Sequence, residues 1–122
     1  MAKPRILVVD DDEAVLEFMR AKLSARYTIL GTTDPQQVLA LARSERPQLI
    51  LCDIEMPGLD GGDLSAALYA QDDLRDIPVL FLTALVSQED LRAQQGQLGG
   101  RAAISKEAPV AELMARIDSL IQ

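Results

Sequence analysis

The chain has 122 residues, of which 48% are hydrophobic and 25% charged, the size and balance of one ordinary globular domain rather than of two domains or a disordered segment. Its formal net charge of −7 gives a mean field that repels nucleic-acid phosphates and anionic headgroups, so neither direct nucleic-acid binding nor membrane binding is expected. Histidine is absent and Cys52 is the one cysteine, which excludes a Ser-His-Asp triad, a histidine zinc site, a phosphohistidine donor and an intrachain disulfide.

No run reaches the roughly 18 to 20 apolar residues of a membrane span. Residues 1–4 lead directly into a strand-like run without the apolar core of a signal peptide, so a cytoplasmic location is expected. Residues 5–9 are the first candidate strand. A helix is predicted over 13–25, where Leu16, Met19 and Leu23 recur at spacings of three and four and share one face. A more mixed strand over 27–30 suits a place near a sheet edge.

Asp34-Pro35 then opens a second helix, with a capping carboxylate before proline at the first helical position and Val38, Leu41 and Ala42 facing inward. Continuous apolar runs over 49–52 and 79–82, like that over 5–9, fit central parallel strands covered on both faces. A third helix is expected from Gly62 or Asp63. A fourth is expected from Ser87, where Ser87-Gln88-Glu89-Asp90 supplies a cap and first-turn acids. A weaker strand over 102–104 precedes a fifth helix after Pro109, striped with Val110, Leu113, Met114, Ile117 and Leu120.

Five alternating units and right-handed crossovers imply a doubly wound α/β fold with a five-stranded parallel sheet. In such sheets the working site lies at the carboxyl ends of the strands. There the first strand ends in Asp10-Asp11-Asp12, the third in Asp53, the fourth in Thr83 and the fifth, after Ser105, in Lys106. A lone Asp in such a place is most often a helix cap, and Asp12 is read as that. Carboxylates, a hydroxyl and an ammonium converging from four strands need another explanation.

Two carboxylates about 4 Å apart repel by roughly 4 kcal/mol at an effective dielectric near 20. Raised pKa values, neutralisation by Lys106 or a hard divalent cation would each relieve this. Oxygen ligands without histidine or an accessible thiolate favour Mg²⁺, which takes a few carboxylates and a phosphoryl oxygen. Cys52 should point to the face opposite Asp53 as a buried structural thiol.

With these residues in order, the sequence resembles the response-regulator receiver domains of two-component signalling, including the stand-alone chemotaxis type. The carriers are Ile6-Leu7-Val8-Val9-Asp10-Asp11, Asp53-Ile54-Glu55-Met56-Pro57-Gly58-Leu59-Asp60-Gly61, Phe81-Leu82-Thr83-Ala84 and Ser105-Lys106, spread over nearly the whole chain. The resemblance implies the flavodoxin-like strand order 2-1-3-4-5 and one receiver domain over 1–122 without an output domain. It implies that Asp53 is the phosphoacceptor, serving a sensor histidine kinase or a histidine phosphotransfer protein. Asp10, Asp11, Asp53 and the backbone carbonyl of Glu55 would hold Mg²⁺, Lys106 would pair with a phosphoryl oxygen, and Thr83 would move to bond the phosphoryl group. The domain would then be a switch that catalyses its own phosphorylation and dephosphorylation and acts through a downstream protein. By analogy alone, it would also form a phosphorylation-dependent homodimer through helix four, strand five and helix five.

Two positions depart from the family pattern. Receiver domains usually follow the lysine with proline, often across a cis bond, whereas Glu107 follows Lys106 here. A cis bond before a non-proline residue costs about 2.5 to 4 kcal/mol, so a trans bond is expected. The switch aromatic three residues before the lysine is replaced by Ala103, whose methyl cannot alternate between two ring positions. Response to phosphorylation is therefore expected in the loop after Thr83 or near helix four, where Gln94-Gln95-Gly96-Gln97-Leu98-Gly99-Gly100 reads as mobile.

Competing readings are a receiver-like scaffold that works without phosphorylation and a Mg²⁺-dependent aspartyl-phosphate phosphohydrolase of the haloacid-dehalogenase type. The scaffold leaves the intact acidic pair unexplained. The hydrolase would place its nucleophile after the first strand and carry a cap domain. A flavin protein of the same topology would need a hydroxyl-rich phosphate loop where carboxylates stand.

Overall fold

The computed structural model describes residues 3–54, 56, 61–98 and 101–121. Strands β1 (Arg5–Val9), β2 (Thr28–Thr32), β3 (Leu49–Asp53), β4 (Val79–Thr83), β5 (Gln97–Leu98) and β6 (Arg101–Ser105) form one sheet in the order β2-β1-β3-β4-β6-β5. The five long strands are parallel and keep the expected order. The sheet has one more strand than expected, because Gln97–Leu98 turns back antiparallel along β6 and extends that edge. The stretch expected to be mobile thus includes a strand, while Gly99 and Gly100 lie outside the described residues.

Period-two alternation divides each central strand between two apolar layers. Ile6, Val8, Leu49, Leu51, Leu80, Leu82 and Ile104 face helices α1 (Glu13–Leu23) and α5 (Val110–Ile121), meeting Leu16, Met19, Leu113 and Ile117. Leu7, Val9, Ile50, Cys52, Phe81 and Ala103 face α2 (Val38–Glu45), α3 (Gly61–Tyr69) and α4 (Gln88–Ala93), meeting Val38, Ala42, Leu64, Leu68 and Leu91. Every residue of β3 is buried, which explains why its sequence shows no polar alternation. Burial of each large apolar side chain contributes roughly 1.5 to 3 kcal/mol before the cost of ordering the chain.

The predicted helix signals act as expected, with local differences. Asp12 caps α1, its side chain accepting from the Ala14 N–H at 2.9 Å. Asp34 caps a 3-10 turn, Pro35–Gln37, before α2 begins at Val38, so proline starts a tighter turn rather than the α-helix itself. Ser87 accepts from the Asp90 N–H at 3.1 Å and caps α4. The second strand starts one residue later than predicted and runs on to Thr32, which is hydrogen-bonded into the turn before Asp34. All described peptide bonds are trans, including the one between Lys106 and Glu107.

Candidate functional site

Register determines where the polar residues fall. Val9 is opposite Cys52, Asp53 opposite Leu82 and Thr83 opposite Ser105, so the carboxyl ends of β1, β3, β4 and β6 are level. Asp10, Asp53 and Thr83 are buried there, and Asp11 is exposed at the rim. The Lys106 ammonium Nζ lies 3.1 Å from Asp53 Oδ1 and 4.0 Å from Asp10 Oδ2. One carboxylate oxygen from each of Asp10, Asp11 and Asp53 falls within 4.8 Å of the others. The structure therefore brings together five of the six residues predicted for the site. The sixth, Glu55, lies outside the described residues, as does most of the predicted turn over 57–60.

The electrostatics of this cluster are unbalanced. Burial, reinforced by the neighbouring charges of Asp53 and Asp11, pushes the Asp10 carboxyl up to about 6, against the opposing Asp12 N–H and Lys106 ammonium. Asp10 Oδ1 accepts from the Asp12 N–H at 2.9 Å, whereas Oδ2 is buried and accepts no hydrogen bond from any described residue. A buried, under-satisfied carboxylate oxygen beside two further carboxylates is the environment in which a hard cation replaces lost hydration. The donor set, all oxygen, fits Mg²⁺ better than a softer metal.

Thr83 stands across from this cluster. Its Oγ1 accepts from the Leu85 N–H at 3.1 Å, tying the hydroxyl to the loop that leads into α4. Cys52 is fully buried on the opposite face of the sheet, and burial pushes its thiol up to about 12, so it has the inert character expected.

Two residues support the site in ways that sequence does not assign: Ser105, read only as part of the Ser105-Lys106 motif, and Gln88, read only as part of a helix start. Gln88 Oε1 accepts from the Ser105 N–H at 2.9 Å, and Ser105 Oγ accepts from the Glu107 N–H at 3.1 Å. Ser105 had a visible signal, a hydroxyl just before a lysine at a strand end where chains commonly turn. Gln88 had only its place in the first turn of a capped helix, which says nothing of a partner 17 residues away.

Residues 6–118 match the family described as the response regulator receiver domain. The chain is 39% identical over 117 residues to the response regulator PleD of Caulobacter vibrioides, covering 95% of this chain and 26% of that protein. It is 36% identical over 123 residues to the transcriptional regulatory protein PrrA of Mycobacterium tuberculosis, covering all of this chain and 52% of that one. It thus spans about a quarter to a half of the length of these relatives. Among solved structures, the chemotaxis protein CheY4 of Vibrio cholerae superposes with a TM-score of 0.79 at 26% identity, over 98% of this chain and 99% of that one. No helix among the described residues is long and apolar enough to cross a membrane. With the matched sheet order, the acidic cluster and this similarity over nearly its whole length, the chain belongs to the response-regulator receiver domains of two-component signalling.

Proposed function

We propose that Asp53 is the phosphoacceptor of this receiver domain and that its phosphorylation, in a Mg²⁺-dependent reaction, switches the binding of a downstream protein. The observation that carries this reading is the Lys106 ammonium 3.1 Å from Asp53 Oδ1, at the head of a cluster shared with Asp10 and Asp11. The donor would be the phosphohistidine of a cytoplasmic sensor kinase or phosphotransfer protein. A carboxylate oxygen of Asp53 attacks phosphorus as the nitrogen–phosphorus bond of the donor breaks. The departing imidazole nitrogen takes a proton from solvent, and an acyl phosphate remains on Asp53.

A carboxylate is a weak nucleophile, so the chain's contribution is positioning and charge neutralisation. The level strand ends set Asp53 opposite Leu82, beside the end of β4 that carries Thr83, and Lys106 holds a positive charge where the phosphoryl oxygens gather. Asp10, Asp11, Asp53 and the carbonyl of Glu55 would hold Mg²⁺, which when bound supplies further neutralisation of those oxygens. Thr83 turns its hydroxyl away from the Leu85 N–H, from which Oγ1 accepts, to donate its O–H to a phosphoryl oxygen, which passes the change to the loop before α4.

The direct test is intact mass after incubation with acetyl phosphate, with and without Mg²⁺, on the wild type and Asp53→Asn. One Mg²⁺-dependent phosphoryl adduct, missing from the variant, is expected. A wild type that binds Mg²⁺ but yields neither an adduct nor released phosphate would instead favour a scaffold independent of phosphorylation.

A further inference from the structure

Along β6 the backbone N–H groups alternate between the neighbouring strand β4 and the opposite edge. The Lys106 N–H donates to the Thr83 carbonyl at 2.8 Å, toward β4. The Ala103 N–H donates at 2.9 Å to the carbonyl of Gly96, beside the short strand β5 on the other edge. The next donor on that edge is Ser105, which β5 is too short to reach. Gln88 Oε1 meets it at 2.9 Å and stands in for the missing strand.

Beyond Ser105, its Oγ accepts from the Glu107 N–H and its carbonyl accepts from the Ala108 N–H at 3.0 Å, closing a turn around Lys106. A proline after the lysine would restrict the backbone by its ring, and Glu107 has no such restriction. Here the restriction comes from hydrogen bonds: β4 supplies the Thr83 carbonyl to the Lys106 N–H, and a side chain from a helix, Gln88 at the start of α4, takes the Ser105 N–H.

We propose that Gln88 is a positioning residue for Lys106: its side-chain carbonyl pins the Ser105 peptide, seats the turn that carries the ammonium against Asp53, and links that seat to α4. This rests on the phosphoacceptor reading of Asp53 and assigns one further residue to it. It also makes α4 a lever on the site, since a partner that displaces the start of α4 withdraws the Gln88 carbonyl from Ser105.

The test follows adduct formation from acetyl phosphate and Mg²⁺ by intact mass in the wild type, Gln88→Ala, Gln88→Glu and Gln88→Asn, each also combined with Lys106→Ala. Gln88→Ala is expected to slow the reaction about tenfold, the effect of losing one positioning hydrogen bond. Gln88→Glu, which keeps an acceptor at the same reach, should recover most of the rate. Gln88→Asn, one methylene shorter, should not, and it serves as the loss variant if Gln88→Ala does not fold. In the Lys106→Ala background none of the three should slow the reaction further, because a residue acting through Lys106 has nothing left to position. By amide exchange, Gln88→Ala should expose the Ser105 N–H while the Ala103 N–H keeps its protection. A wild-type rate in Gln88→Ala overturns the proposal and leaves the phosphoacceptor reading intact, as does equal slowing in both backgrounds. A wild type that forms no adduct and releases no phosphate overturns both.

Discussion

Lys106 Nζ lies 3.1 Å from Asp53 Oδ1 but 4.0 Å from Asp10 Oδ2, so one ammonium at the end of β6 answers two buried carboxylates and favours Asp53. An ammonium held there compensates the charge of an incoming phosphoryl group without reorganisation. Lys106→Met keeps the length of the side chain and removes the charge. It is expected to slow phosphoryl transfer from acetyl phosphate by about a hundredfold, the scale of losing one preorganised donor. A time course of intact mass checks this, and a rate within a few-fold of the wild type would separate Lys106 from the chemistry.

Asp10 carries the cost of the site. Its carboxyl is raised from 3.8 to about 6, chiefly by burial. Below about pH 4 it is neutral in both folded and unfolded chains and contributes nothing to the pH dependence. Between these values the unfolded chain ionises while the folded one holds its proton. Above about pH 6 the folded chain bears the full penalty of a buried charge. Metal-free protein should therefore lose stability as pH rises from about 4 to 6. Asp10→Asn should relieve on the order of 1 to 3 kcal/mol of this at pH 7 and almost none at pH 4. Denaturant unfolding at the two pH values in the presence of a chelator measures the difference. The same variant should bind Mg²⁺ more weakly, so stability and metal affinity should move in opposite directions.

The legibility of the sequence follows from how local each cause is. The central strands could be read because burial on both faces leaves unbroken runs such as Leu49-Ile50-Leu51-Cys52, and the helix starts because Asp12, Asp34 and Ser87 cap through neighbouring N–H groups. Asp10, Asp11, Asp53, Thr83 and Lys106 could be grouped because a parallel sheet places all strand ends on one edge. Strand β5 has only two residues and lies where glycines suggest a loop, so no periodicity marks it. The Gln88 contact joins a helix start to a strand end through a side chain, and pattern reading has no access to such a pair. Chain geometry, rather than composition, determines these features.

Thr83 holds the Leu85 N–H in a short turn, and Leu85 itself is 82% exposed. The turn thus depends on a hydrogen bond worth about 1 kcal/mol rather than on buried apolar contact. Thr83→Ala should speed exchange of the Leu85 amide while lowering global stability by about 0.5 to 1.5 kcal/mol. In the wild type, phosphorylation should have the same local effect, because the hydroxyl turns from Leu85 to the phosphoryl oxygen. Amide exchange with and without acetyl phosphate and Mg²⁺ tests this, and an unchanged Leu85 amide in a phosphorylated sample would count against movement of Thr83.

Ala103, one of the two departures from the family pattern, lies within the core. Its methyl is fully buried opposite Phe81 on the layer that also holds Leu91, and its N–H is bonded to the Gly96 carbonyl. A ring introduced there has to displace close-packed neighbours rather than enter a waiting slot. Ala103→Tyr should therefore lower stability by about 1 to 3 kcal/mol, visible as a lower Tm, instead of restoring a two-position aromatic switch. If the variant is as stable as the wild type and its ring changes environment on phosphorylation, the layer has room for the family's usual device. If it is destabilised and its ring signals do not respond, the β6 position is a fixed part of the core, and the response to phosphorylation must pass through Thr83, Leu85 and the start of α4.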